Sequence, residues 1–398
     1  MFILLNLIAV KSGGQLTRSK NFLQYIASQN HENIMYVVLV NASFHKEYEQ
    51  CCRIHYVTLN LPSKGLLSVA SRLIYENLFI SHLISQYSCD MYLTFSHSIP
   101  LFLSIPSIVG VSDVAPFSPV AFSKSSLTNK LRLVLLRYTI KHAAFSCTIV
   151  IALSNYCKDI LVSHGVDPSK IVIIHNGVNQ NCTKLIKSNS INLRFSDKAD
   201  NRYILSVSHF YSYKDFECLI DAYTMLPALI RSDYKLIIVG RPNDLDYFNK
   251  IVKLIDLRNL NDHITLITDC NAESLDTIYS QASLFVFTSL VENCPNILLE
   301  ALSYGLPIIC SEALPMKEFA GNSVKYYEQS NSIQLSKHMV FLLSSPTESN
   351  KLRLLALTKS KDYSWIKFSE SVINLAYNYY SKYSSLKVLD VNRSKLFR

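Results

Sequence analysis

Short apolar runs alternate with amphipathic stretches along most of the chain. FILLNLIAV (2–10), NIMYVVLVNA (33–42), DMYLTFS (90–96), PSIVGVSD (106–113), TIVIALS (148–154) and KIVIIHN (170–176) are continuously apolar rather than alternating. That pattern predicts strands buried on both faces, as in a parallel sheet. LTRSKNFLQYIAS (16–28), LLSVASRLIYENLFISHLISQ (66–86) and a basic stretch near 126–146 predict the helices between them. The opening MFILLNLIAV lacks a basic leader region and meets Lys11 at once, so a strand is expected there and not a signal or anchor. No other run reaches about 18 uncharged apolar residues, and no transmembrane helix is expected.

Residues 178–201 are polar and show no clean period, which predicts a linker region. The alternation then restarts. Strands are expected at RYILSVS (202–208), KLIIVG (235–240), ITLIT (264–268), LFVFTS (284–289) and PIICS (307–311). Helices are expected at FECLIDAYTMLP (216–227), LDYFNKIVKLIDL (245–257), ESLDTIYSQA (273–282) and NILLEALSY (296–304). The fold class is α/β, with two doubly wound Rossmann-like domains facing a central cleft. The expected boundaries are 1–177 for the first domain, 178–201 for the linker and 202–363 for the second domain. A C-terminal helix near 364–383 and a loose basic tail fill 364–398.

Composition narrows the class. The chain has 398 residues, 49% of them hydrophobic and 17% charged, which suits two ordinary folded domains. Net charge is +9, favouring an anionic partner and leaving nucleic acid, lipid or a phosphorylated ligand open. The ten cysteines show no zinc spacing and read as reduced, buried thiols.

The chemistry is expected at strand ends. Among only nine glycines, Gly13 and Gly14 are adjacent, after the first strand and before a helix. Such a turn lets backbone N–H groups approach an anion, or it is a plain tight turn. His209 and Lys214 occupy the loop between RYILSVS and its helix, where a cation is unfavourable unless an anion lies beside it. For Lys214, a diphosphate contact and a solvated surface lysine stay equally open. The stretch ENCPNILLEALSYGLPII (292–309) places Glu292 in a loop, Pro295 at the first helical position, Gly305 as the C-terminal cap and Glu300 amid apolar residues. A buried carboxylate needs a donor, either a protein group or a ligand diol such as ribose. Asp244-Leu245-Asp246 has a metal-binding spacing but opens a helix, where aspartate caps.

The ordered set of these stretches resembles the retaining GT-B glycosyltransferases of family 4. It comprises the early Gly-Gly, IALSNYCKDIL…GVDPSKIVIIHNGV, ILSVSHFYSYKD, and E-x7-E after ASLFVFTSL, and it covers roughly residues 1 to 330. The resemblance implies transfer of a sugar from a GDP- or UDP-sugar, with retention and without a metal or other cofactor. Lys214 would bind the donor diphosphate, Glu300 the ribose, and Glu292 would sit beside the donor sugar. Main-chain groups after it (Asn293, Asn296, Ile297) would meet sugar and phosphate, with Gly13, Gly14, His209 and Arg241 completing the donor site. Members often carry Gly-Arg where this chain has Ser208-His209, and glycines where it has Asn293 and Pro295. A histidine common at the end of PSIVGVSD is replaced by Asp113, with His97 in a neighbouring turn. Either is a candidate for the catalytic role.

The segment 124–142 gathers Lys124, Lys130, Arg132, Arg137, Lys141 and His142 with interleaved leucines and no acid. It reads as a helix for an anionic membrane surface or as a solvated basic face. The resulting expectation is a cytoplasmic enzyme, peripheral on the inner face of the plasma membrane. It would extend a lipid-linked or growing polysaccharide such as O-antigen or capsule, and nucleic acid is not a partner. Two other readings are a degenerate nucleotide-binding subunit without transfer activity, and a nucleotide-sugar epimerase or hydrolase on the same fold.

Overall fold

The computed structural model describes the chain except residues 11–12, 30–32, 49, 63–64, 98, 181–201 and 397–398, and side chains except those of 65–70 and 384–396. It divides into two compact units. One comprises Met1–Ser112, Leu135–Gly177 and Trp365–Arg398, and the other Asp113–Val134 and Val178–Ser364.

The first unit holds a seven-stranded, all-parallel sheet of order β3-β2-β1-β4-β5-β6-β7. Its strands are β1 (Phe2–Asn6), β2 (Met35–Asn41), β3 (Ile54–Leu59), β4 (Met91–Thr94), β5 (Ser107–Val111), β6 (Ile149–Ala152) and β7 (Ile171–Ile173). In β4 and β5 every residue is buried, which explains runs without polar alternation. The edge strand β3, IHYVTL, has one buried residue, Ile54, with the rest half-buried or exposed, and it lies outside the continuous apolar runs.

Early helices are α1 (Gly13–Ser28), α2 (Gly65–Gln86), α3 (Pro119–Lys124), α4 (Leu127–Ser146) and α5 (Asn155–Ser163). Arg18 of α1 ties this sheet's carboxyl edge together. Its Nε donates to Asn176 Oδ1 at 2.8 Å and its Nη1 to Ser112 Oγ at 2.9 Å.

The second unit holds a six-stranded parallel sheet of order β10-β9-β8-β11-β12-β13. Its strands are β8 (Tyr203–Val207), β9 (Lys235–Val239), β10 (Ile264–Ile267), β11 (Leu284–Phe287), β12 (Ile308–Ser311) and β13 (Lys325–Tyr327). Its helices are α6 (Phe216–Thr224), α7 (Ala228–Asp233), α8 (Leu245–Leu257), α9 (Ala272–Gln281), α10 (Asn296–Ser303), α11 (Met316–Ala320), α12 (Ser332–Ser344) and α13 (Pro346–Ser360). The final helix, α14 (Trp365–Leu396), packs on α1 in the first unit, where Tyr25 donates to Glu370 Oε1 at 3.2 Å.

Several expectations need correction. Residues 113–134, expected in the first domain, cluster with the second sheet, and α14, expected as a separate C-terminal helix with its tail, clusters with the first. The tail expected to be loose continues as helix to Leu396. Of the expected linker, 181–201 lies outside the described residues. Cys52 is exposed, against the expectation of uniformly buried thiols. None of the described helices is long and apolar enough to cross a membrane.

Candidate functional site

In each sheet the strand order reverses once, between β1 and β4 in the first and between β8 and β11 in the second. Connections leave such neighbouring strands toward opposite faces, which opens a crevice at their carboxyl ends. The loops after β8 and β11 carry Lys214 and Glu292, so topology alone accounts for their meeting. In the first unit α1 opens on Gly13 and Gly14 after β1, and His97 lies in the turn after β4. Gly13, the first residue of α1, has φ +64, a left-handed conformation that suits glycine.

Hydrogen bonds between the β8 and β11 exits fix the second crevice. Leu290 N donates to Tyr213 C=O at 2.9 Å, and the Thr288 hydroxyl donates to Lys214 C=O at 2.6 Å. The Lys214 ammonium pairs directly with Glu292 Oε1 and lies 5.2 Å from the centroid of the Tyr213 ring. Both charged side chains are mostly covered, which removes the solvated-surface reading of Lys214. Asp113 also belongs to this cluster: burial raises its carboxyl, against the opposing pull of the Ala115 N–H, Arg132 and Lys214. Sequence reasoning missed Tyr213 and Asp215 here and gave Lys124 and Arg132 to a basic face instead, because no local spacing announces a contact such as that of Lys124 with Asp215.

His209 is held neutral. Burial lowers its pKa first, with Lys214 and Arg241 lowering it further. The Arg241 N–H donates to His209 Nδ1 at 3.3 Å, which leaves the proton on Nε2. His209 is therefore a neutral N–H donor rather than a cation. Its loop is closely packed: a Cβ on Gly240 would lie 1.8 Å from Ser208 O, so only glycine fits.

The E-x7-E segment builds the remaining geometry. Pro295 occupies the N-cap and α10 starts at Asn296, one residue later than expected. The Asn296 N–H donates to Cys294 C=O at 2.9 Å, so that donor is already engaged. Gly305, at φ +62, ends α10 in a Schellman turn, with Gly305 N bonded to Leu302 O at 3.0 Å and Leu306 N to Ala301 O at 3.3 Å.

Asn293 is buried, whereas Ile297 and Glu300 keep partial exposure. Glu300 Oε2 accepts from the Tyr279 hydroxyl at 3.3 Å. No cation pairs with it among the described residues. Burial pushes its carboxyl up to about 7; Tyr279 opposes that and Asp276 adds to it. The Tyr279 and Tyr304 rings stack at 4.9 Å, and Tyr304 donates to Asp276. Glu300 is thus held from the α9 side with capacity to accept from further hydroxyls.

Asp244 caps α8 through Oδ1, which accepts from Tyr247 N at 3.1 Å, while Oδ2 accepts from Asn129 Nδ2 at 2.8 Å. Both oxygens have structural partners, as capping requires.

Residues 12–181 match the family described as Glycosyltransferase Family 4, and residues 190–354 match Glycosyl transferases group 1. An uncharacterized glycosyltransferase of Haemophilus influenzae is 30% identical over 173 residues, 42% of this chain and 46% of that one. The O-antigen chain mannosyltransferase B of Escherichia coli is 24% identical over 268 residues, 67% of each chain. The chain therefore spans less than half the length of the first of these relatives and about two thirds of the second. Among solved structures, Anabaena HepE in complex with UDP-glucose superposes with a TM-score of 0.70 at 17% identity, covering 95% of this chain and 100% of that one. The architecture is the GT-B fold.

Proposed function

The chain belongs to glycosyltransferase family 4, and from that footing we propose that it transfers a sugar, with retention, from a nucleoside-diphosphate sugar to a glycan acceptor. The observation that carries the proposal is the Lys214–Glu292 pair at the β8/β11 reversal, with half-buried Glu300 on the following helix. Glu292 is the resident anion on Lys214. An incoming diphosphate offers the ammonium more negative charge, and Glu292 is then available to orient the donor sugar. As the glycosidic bond breaks, charge develops on the leaving diphosphate, where Lys214 stabilises it and His209 Nε2–H can donate. Glu300, charged above about 7, accepts from the ribose hydroxyls. The acceptor hydroxyl attacks from the leaving-group face, and its proton passes to a leaving phosphate oxygen. No divalent ion is required in this scheme.

In the proposal the acceptor is lipid-linked and the enzyme works at the cytoplasmic face of a membrane. Leu127, Leu131, Leu135, Tyr138 and Phe145 of α4 are 84%, 64%, 59%, 71% and 46% exposed. At 3.6 residues per turn they fall within an arc of roughly 80° along the whole helix. Lys130, Arg137 and Lys141 flank one edge and Arg132 the other, and no acid occurs over 120–145. An apolar stripe with a purely cationic border matches an anionic bilayer surface, into which the leucines would insert.

The deciding experiment is a melting screen of the purified chain against UDP, GDP, ADP and their sugars, followed by transfer assays with the stabilising donor. GDP-mannose is the first donor to test, because it is the donor in the name of a Xanthomonas oryzae relative, GDP-mannose:cellobiosyl-diphosphopolyprenol alpha-mannosyltransferase. Stabilisation by one nucleoside diphosphate is expected. No response to any of them would overturn the reading, and binding without turnover would favour the nucleotide-holding subunit.

A further inference from the structure

Asp215 follows Lys214 and adopts φ 56 and ψ 43, a left-handed conformation uncommon outside glycine. Its side chain is buried and does not cap the helix it precedes. The Phe216 N–H at the start of α6 donates instead to the Tyr247 hydroxyl at 2.9 Å. The Asp215 carboxylate turns to two residues remote in sequence. Oδ1 accepts from Lys124 Nζ at 2.9 Å, and Oδ2 accepts from Ser330 Oγ at 2.6 Å. A buried carboxylate is tolerated only when paired in this way, so the two contacts fix where the turn can sit.

Lys124 closes α3, and the segment it belongs to also carries Asp113 and Arg132. A second tie, from Asn129 to Asp244 at 2.8 Å, secures the same segment to α8. The buried carboxylate therefore does two things. It holds in place the left-handed residue that directly follows Lys214, and it fastens the 113–134 segment beside that lysine's side chain.

We propose that Asp215 is a positioning residue, whose carboxylate, clamped by Lys124 and Ser330, presents Lys214 to the donor diphosphate. The inference rests on the diphosphate role proposed above. Asp215→Gly separates backbone from carboxylate, because glycine accepts the left-handed turn without strain but cannot bind Lys124. Lys124→Ala removes the same contact from a partly exposed partner and serves should the glycine variant fail to fold.

Titration calorimetry would compare the nucleoside diphosphate with the free nucleoside for parent, both single variants and the double variant. Expected is a loss of diphosphate affinity of about tenfold or more in each single variant, since misplaced binding groups lose strength steeply. Nucleoside affinity should stay unchanged, and the double variant should lose no more than either single one. Asp215→Asn, which keeps the shape, should recover part of the loss. Diphosphate affinity equal to the parent's in the single variants overturns the inference, as does an equal loss of both ligands. A parent that binds no nucleoside diphosphate sinks the functional reading first.

Discussion

Glu300→Gln should stabilise the empty protein and weaken its ligand, and the two effects have one cause. Burial lifts the Glu300 carboxyl from 4.5 to about 7. A folded-state value above the unfolded one means that the folded chain holds the proton more tightly. Below about pH 4.5 the group is protonated in both states and costs nothing; from there to about 7 the folded chain must hold a proton that the unfolded chain releases, so the cost grows, and above 7, where the buried group is charged, it is constant. At about 1.4 kcal/mol per pH unit, that plateau is about 3 kcal/mol. Glutamine keeps the shape and still accepts from Tyr279, but cannot ionise. At about pH 8 the variant should therefore gain about 2–3 kcal/mol in the ligand-free state, shrinking toward zero near pH 4.5. The same change should weaken nucleoside diphosphate binding at about pH 8 by about 1–3 kcal/mol, the value of hydrogen bonds to a charged acceptor. Binding by the parent should also fade as pH drops through about 7. Urea unfolding across this pH range, paired with calorimetric titration, measures both. A stability gain that is absent at high pH, or equal at both ends of the range, would refute the burial argument. Unchanged nucleotide affinity would refute the ribose role.

Glu292→Gln should cut transfer by about a hundredfold or more while nucleotide affinity stays equal or rises, because Lys214 loses its resident anion; native turnover would remove Glu292 from the reaction. The paired substitution Leu131→Glu and Leu135→Glu should abolish co-sedimentation with anionic vesicles and leave the melting temperature nearly unchanged, since both side chains are exposed. Retained vesicle binding would exclude the α4 stripe as the contact. Chelation with EDTA should leave the transfer rate as it was; a loss restored by added Mn²⁺ would reopen the role of Asp244 and Asp246.

The sequence by itself determined the alternation of buried strands and helices, because a parallel strand covered on both faces must be apolar along its length. It also placed the site-bearing loops at strand ends and marked the close of α10, where Gly305 and Pro307 leave the helix no continuation. Edge strand β3 escaped, since all but one of its residues are half-buried or exposed and it carries no continuous apolar run. The short β13 lay outside the run of expected elements.

What only the tertiary structure decided are the partnerships. Lys214 and Glu292 stand 78 positions apart in the chain and meet because strand order reverses between β8 and β11. His209 is kept neutral by burial and by the nearby Lys214 and Arg241 charges, and Asp113 joins the second sheet because Lys124 and Asn129 tie its segment there. Local pattern reports how much of each element is buried. Which charge faces which is set by strand order and by contacts across about a hundred residues, and no window of sequence contains them.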